Sequence, residues 1–217
     1  MGFGHGYAPE ANQWTTLTAG HISINKFWGE TERVRSPQCT CTLVKTAAGL
    51  LLVDPSVHVP EIPGLLHDKA GIRPEDIAIV FLTHCHGDHW YGLEAFPRAR
   101  WLMAAQEIQH WRERASEKES RLIERLEPAP AEIAPGVTTL HTPGHTPGLT
   151  SLVVRWRNRL VAIAGDAAMT EEHFRAREGH SNSVDFAQAA RSIDLLAQTA
   201  DVVVPGHGPA FVVAWAP

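Results

Sequence analysis

His84-Cys85-His86-Gly87-Asp88-His89 is the stretch on which the reading of this chain turns. It packs three imidazoles and one carboxylate into six residues, a density that ordinary surface composition does not produce. Neutral imidazole and carboxylate are borderline-to-hard donors that suit zinc, iron and manganese. Immediately before it, Ile77-Ala78-Ile79-Val80-Phe81-Leu82-Thr83 is apolar and β-branched, the composition of a buried strand. Gly87 frees the backbone to turn. A strand that opens into a ligand-bearing loop fixes where its imidazoles point, because the sheet behind it is rigid.

One short segment cannot surround two metal ions, so the rest of the chain has to supply donors. Histidine is plentiful, with 13 in 217 residues. Thr142-Pro143-Gly144-His145-Thr146-Pro147-Gly148 puts His145 in a turn between two expected strands. Leu160-Val161-Ala162-Ile163-Ala164-Gly165-Asp166 is an apolar run that ends in an acid, and Val202-Val203-Val204-Pro205-Gly206-His207 ends in an imidazole. The recurrence of a donor just past an apolar strand places these groups on one rim of a sheet, where open α/β architectures bind ligands.

On these residues the chain resembles the metallo-β-lactamase-fold hydrolases, whose motifs are a His-x-His-x-Asp-His loop followed by a single His, an Asp and a final His. His84, His86, Asp88, His89, His145, Asp166 and His207 match all seven positions, and Asp54 in Leu51-Leu52-Val53-Asp54-Pro55 matches an acid the family carries after an early strand. The resemblance covers about residues 14 to 212. It implies an α/β fold, a four-layer αβ/βα sandwich, as one domain over residues 1–217. It also implies a dinuclear centre: His84, His86 and His145 on the first metal, Asp88, His89 and His207 on the second, and Asp166 bridging. Two divalent ions follow, zinc first with iron or manganese as alternatives. Asp88 is the catalytic candidate, as a metal ligand that also orients or accepts the proton of an attacking hydroxide.

Other polar residues read more plainly. His5, His21, His58, His67, His110 and His141 are expected to be ordinary surface or core histidines. Asp54 is expected to hydrogen-bond the metal loop rather than touch metal. Cys39 and Cys41, two apart in an expected strand, and Cys85 read as buried free thiols, with Cys85 pointing away from its ligand neighbours.

The formal net charge of −5 argues against an electrostatic grip on nucleic acid, so a small-molecule substrate is expected. No apolar run reaches the roughly 18 residues of a membrane span, and residues 1–10 carry no signal-peptide pattern, which makes the cytoplasm the default location. Strands are expected over 14–24 and 40–53, the latter turning at Ala48-Gly49. A helix is expected over 62–70, closed by Gly71, and a long one over 104–126 whose Arg/Glu face is solvated. A late helix should run from 183 to 200 with Ser183 as N-cap.

The complete donor set points to a metal-dependent hydrolase acting by metal-bound hydroxide on a small ester, lactone or thioester. Within the superfamily the chain looks most like the small branch called metallo-β-lactamase-domain-containing protein 1. Two alternatives stand. A mononuclear iron oxidoreductase is suggested by a resemblance to persulfide dioxygenases in His84-Cys85-His86 and the 143–148 turn, although their Gly-Arg-Thr-Asp-Phe segment is echoed only by Ser183-Val184-Asp185-Phe186. A metal-dependent nuclease or phosphodiesterase is disfavoured by the charge and by the absence of the RNA-gripping domain of the larger family members. His180, Ser181, Asn182 and Ser183 are expected to line the mouth of the site.

Overall fold

The computed structural model describes residues 12–213. The reading of residues 1–10 as free of a signal pattern, and the reading of His5, lie outside them. Two six-stranded mixed sheets face each other with helices on both outer sides, the expected four-layer sandwich.

The first sheet runs β1 (Gln13–Thr18), β2 (Cys41–Thr46), β3 (Gly49–Val53), β4 (Ile77–Phe81), β5 (Arg100–Met103) and β6 (Leu126–Pro128) in spatial order. The second runs β12 (Phe211–Val212), β11 (Val202–Pro205), β10 (Arg159–Gly165), β9 (Thr150–Trp156), β8 (Val137–His141) and β7 (Glu132–Ala134). The central strands are apolar on both faces because both faces are covered. In β4, Ile79 and Phe81 point into the layer between the sheets, while Ile77 and Val80 pack under the outer helices α1 (Ile62–Ala70) and α3 (Ala105–Arg112). In β10, Val161 and Ile163 enter the inter-sheet layer, and Ala162 and Ala164 face the late helix Phe186–Thr199. Fully burying a large aliphatic or aromatic side chain is worth about 1.5–3 kcal/mol, so this double-sided pattern holds the four layers together.

Several boundaries differ from the sequence reading. The first strand stops at Thr18 after a register shift, and His21 then makes only an isolated bridge to Gln38. The 41–53 hairpin turns one residue earlier than expected, with Gly49 already opening β3. The helix over 62–70 and its cap at Gly71 (φ 66°) are as expected.

No continuous helix spans 104–126. The backbone leaves α3 after Arg112 and restarts as α4 (Glu117–Ile123), because Ser116 and Glu119 form a capping box. Ser116 Oγ accepts from the Glu119 N–H, and the Glu119 carboxylate accepts from the Ser116 N–H at 2.8 Å. Leu126, expected on a helix face, instead pairs with Trp101 as part of β6. The late helix starts three residues after Ser183. Its N-cap is Asp185, whose carboxylate accepts from the Gln188 N–H at 2.8 Å, while Ser183 lies in the preceding turn.

Candidate metal centre

The seven expected residues converge, and they do so between the sheets. His84 and His86 follow β4, and Asp88 and His89 lie in the one-turn helix α2 (Gly87–Trp90), all from the first sheet. His145 sits in the β8–β9 turn, Asp166 follows β10 and His207 follows β11, all from the second. The expectation of one rim of one sheet is therefore corrected: each sheet lends an edge, and the donors meet across the gap. Thr150 N–H donates to the Thr83 carbonyl at 3.1 Å and ties the two edges together.

The donor atoms form two groups that meet at one carboxylate. In the first, His86 Nδ1 lies 3.0 Å from His84 Nε2 and 2.9 Å from His145 Nε2. Asp166 Oδ2 is 3.1 Å from His145 Nε2 and 3.6 Å from His84 Nε2. In the second, Asp166 Oδ1 is 3.3 Å from both His89 Nε2 and His207 Nε2, and Asp88 Oδ2 is 3.6 Å from His207 Nε2. A tetrahedral ion with bonds of 2.0–2.1 Å has donor–donor edges of roughly 3.3 Å, so both groups have the size of a metal shell. Their hydrogen bonding fits the same group. His89 Nε2 and Asp166 Oδ1, which face each other in the second group, are buried and find no hydrogen-bond partner, which is costly unless a cation takes part of the load.

Neighbouring groups hold the opposite ring nitrogens and so fix which nitrogen each of these rings turns toward the shell. His89 Nδ1–H donates to Asp54 Oδ2 at 2.9 Å, and His207 Nδ1–H donates to the Gln38 carbonyl at 2.8 Å. His84 Nδ1 meets Thr83 Oγ1 at 3.1 Å, and Thr83 Oγ1–H donates to Asp54 Oδ2 at 2.8 Å. Asp54 thus touches His89 and the Thr83 relay, the role expected of it. Close packing also fixes Asp166: a Cβ on Gly206 would lie 2.0 Å from Asp166 Oδ1, so only glycine lets the His207 loop approach the carboxylate.

Electrostatics follow from burial. Burial, then the nearby His145 ring, push His86 down to about 4, and burial holds His84 well below the ordinary imidazole range. Both rings are neutral at pH 7, as metal donors must be. Burial alone would raise Asp166, yet the His89, His207 and His145 rings hold it well below the usual carboxylate range. For His207 burial disfavours the charge, but Asp166 more than offsets this and moves the ring up, so a cation binding there competes with a proton.

All three cysteines are free and buried, as expected. Cys39 precedes β2 rather than lying in it, and its sulfur sits near Asp54 and His89. Burial pushes its thiol up to about 12, so it packs beneath His89 as a neutral group. Cys85 points into the core under the outer helices, away from the donors.

The mouth is a cavity of about 150 Å³ lined by His86, Asp88, Asp166, His207, His180 and Asn182, among others. His180 and Asn182 line it as expected, Ser181 lines an adjoining cleft, and Ser183 is buried behind them. Sequence reasoning missed Thr83, which carries no motif of its own, and the His21 and Gln38 carbonyls beside His207, because a backbone acceptor leaves no residue-type signal.

His173 lies beside the mouth without belonging to either donor group. Burial, then the neighbouring His180, push its ring down to about 4. The unfolded chain takes up this proton near pH 6.5 while the folded chain resists it, so the stability present above pH 6.5 is lost as pH falls from about 6.5 to 4. Melting temperatures measured across this window should fall less steeply for His173→Gln than for the wild type. Parallel curves would show that His173 does not contribute.

Comparison with known proteins identifies the family. The family model described as metallo-beta-lactamase superfamily matches residues 35–207. The chain belongs to the metallo-β-lactamase superfamily. Among curated superfamily members it is 34% identical over 128 residues to an N-acyl homoserine lactonase of Bacillus sp., covering 55% of this chain and 47% of that protein. It is also 34% identical over 144 residues to human metallo-beta-lactamase domain-containing protein 1, covering 65% and 51%. The chain thus spans about half the length of these curated relatives. A solved N-acyl homoserine lactone hydrolase, with N-hexanoyl-L-homoserine bound at its catalytic metal centre, superposes with a TM-score of 0.68 at 22% identity over 92% of this chain and 93% of that one. At that identity the likeness concerns the fold. Among the described residues no helix is long and apolar enough to cross a membrane.

Proposed function

We propose that this superfamily member is a metal-dependent hydrolase that holds two divalent cations, zinc first, and opens a small ester, lactone or thioester. The observation that carries the proposal is Asp166, whose two carboxylate oxygens each face a separate group of imidazoles. His84, His86 and His145 would hold one ion, and Asp88, His89 and His207 the other. Bound there, two such ions supply Lewis acidity for a carbonyl oxygen and bring the pKa of a water toward about 7.

The protein's own groups do the rest. Asp88 stands at the mouth, where its carboxylate can accept a proton from an attacking water and return it to the departing oxygen. His180 and Asn182 offer polar contacts in the same cavity, which Pro37 and Met169 also line. The lactonase and lactone-hydrolase names of the relatives support the lactone end of the substrate range.

Purified protein should carry close to two transition-metal ions per chain by elemental analysis. His86→Ala should empty the first position preferentially, and His207→Ala the second. Screening esters, lactones, thioesters and phosphodiesters then sets the substrate class. A single iron per chain, unaffected by His207→Ala, would replace this reading with the mononuclear oxidoreductase.

A further inference from the structure

Glu107 is a fully buried carboxylate, 0% exposed, that the proposed chemistry does not use. It is the third residue of α3, a position from which a glutamate commonly turns back to cap its own helix. Here the N-cap is Ala104, which has no capping side chain, and Glu107 turns to two loops instead. Its Oε1 accepts the Cys85 N–H at 3.0 Å. Its Oε2 accepts Thr146 Oγ1–H at 2.9 Å and the Gly148 N–H at 3.0 Å.

These partners identify what the carboxylate holds. Cys85 lies between His84 and His86, and Thr146 follows His145. One side chain therefore grips both loops that supply the first donor group, one from each sheet. The second loop is seated directly on the start of α3: a Cβ on Gly148 would lie 2.3 Å from the Glu107 nitrogen and 2.6 Å from its Cα, a separation only glycine allows. The negative charge also sits in the first turn of α3, where the helix dipole favours an anion.

We propose that Glu107 is a positioning residue for the first metal site. It locks the His84–His86 loop to the His145 loop, so that the three imidazoles already stand at shell distance before an ion arrives. Without it the loops must be ordered on binding, and affinity falls by the factor of about 10–100 typical of lost outer-shell partners. The inference rests on the dinuclear reading above.

Chelator competition with zinc tests it without reference to activity. His207→Ala isolates the first site and His86→Ala the second, and Glu107→Gln is introduced into each. Gln keeps the volume, but its amide turns a donor toward one of the N–H groups that Glu107 accepts. Zinc at the first site should weaken about 10–100-fold and zinc at the second should be unchanged. Ser116→Ala, which removes the N-cap of α4, should lower the melting temperature and leave both affinities alone. Unchanged zinc at the first site in a Glu107→Gln protein, or equal weakening at both sites in step with melting temperature, overturns the proposal. If Glu107→Gln does not fold, Thr146→Val, which removes one donor, must show the same selective loss or the proposal falls. Wild-type protein that binds no zinc would instead sink the dinuclear reading, and the positioning role with it.

Discussion

Asp88→Asn is expected to fold normally and to hydrolyse its ester or lactone at least about 10²-fold more slowly than the wild type, the lower range for losing a positioned general base. Asp88 Oδ2 lies 3.6 Å from His207 Nε2, and the Asp88 side chain keeps 14% exposure at the mouth, so it faces both the donor group and the incoming substrate. Asparagine preserves the volume but brings no negative charge for a cation and no basic oxygen for a proton. The fold should not suffer, because a polar-for-polar change at a partly solvated lip creates no cavity and buries no orphan. Two readouts separate the roles. A lost proton acceptor lowers kcat at full metal content, whereas a lost metal donor lowers metal content and is relieved by added zinc. A folded variant with near-normal rate and two ions would remove Asp88 from the active machinery.

Much of this architecture was legible because its signals are repeated. A donor after an apolar run occurs in the His84, Asp166 and His207 segments, and each repetition raises the weight of the others. The four layers came with the resemblance, and the residues agree with them: β4 and β10 are apolar at successive positions, which a strand tolerates only when covered on both faces. What the chain does not write down is which sheet each strand joins. A rim of one sheet and facing rims of two sheets produce the same linear pattern.

The 104–126 segment failed for a local reason. Apolar spacing of three and four persists across Ser116, and the Ser116–Glu119 box that restarts the helix competes with that periodicity rather than interrupting its composition. Glu107 and Thr83 were invisible as site residues because a lone glutamate on a helix and a lone threonine at a strand end are commonplace. Only their buried partners, Cys85, Thr146 and Gly148 in one case and Asp54 and His84 in the other, distinguish them.

Asp54→Ala carries the largest expected loss of stability, because three donors depend on one buried carboxylate. Asp54 is 2% exposed and accepts the Thr83 N–H at 2.9 Å, Thr83 Oγ1–H at 2.8 Å and His89 Nδ1–H at 2.9 Å. It does so from a left-handed backbone (φ 51°), a conformation that costs a non-glycine residue about 1–3 kcal/mol and is held here by those same bonds. Alanine keeps the backbone strain and removes the acceptors, leaving buried donors at about 1–3 kcal/mol each. Partial relaxation of the Thr83 hydroxyl lowers the sum, so at least about 3 kcal/mol should be lost. For a chain of this size that corresponds to a melting temperature lower by roughly 6–12 °C. Metal-free protein is the sample to measure, since bound ions would mask the change by mass action. Asp54→Asn should fall between, retaining one acceptor oxygen but turning an amide toward a donor. His89 adds a second signature: without Asp54 its ring no longer has the partner that keeps the proton on Nδ1, so in the alanine variant zinc at the second site should weaken more than zinc at the first. A melting temperature within about 2 °C of the wild type, less than the shift of a single kcal/mol, would mean that solvent or a neighbouring group satisfies the orphaned donors.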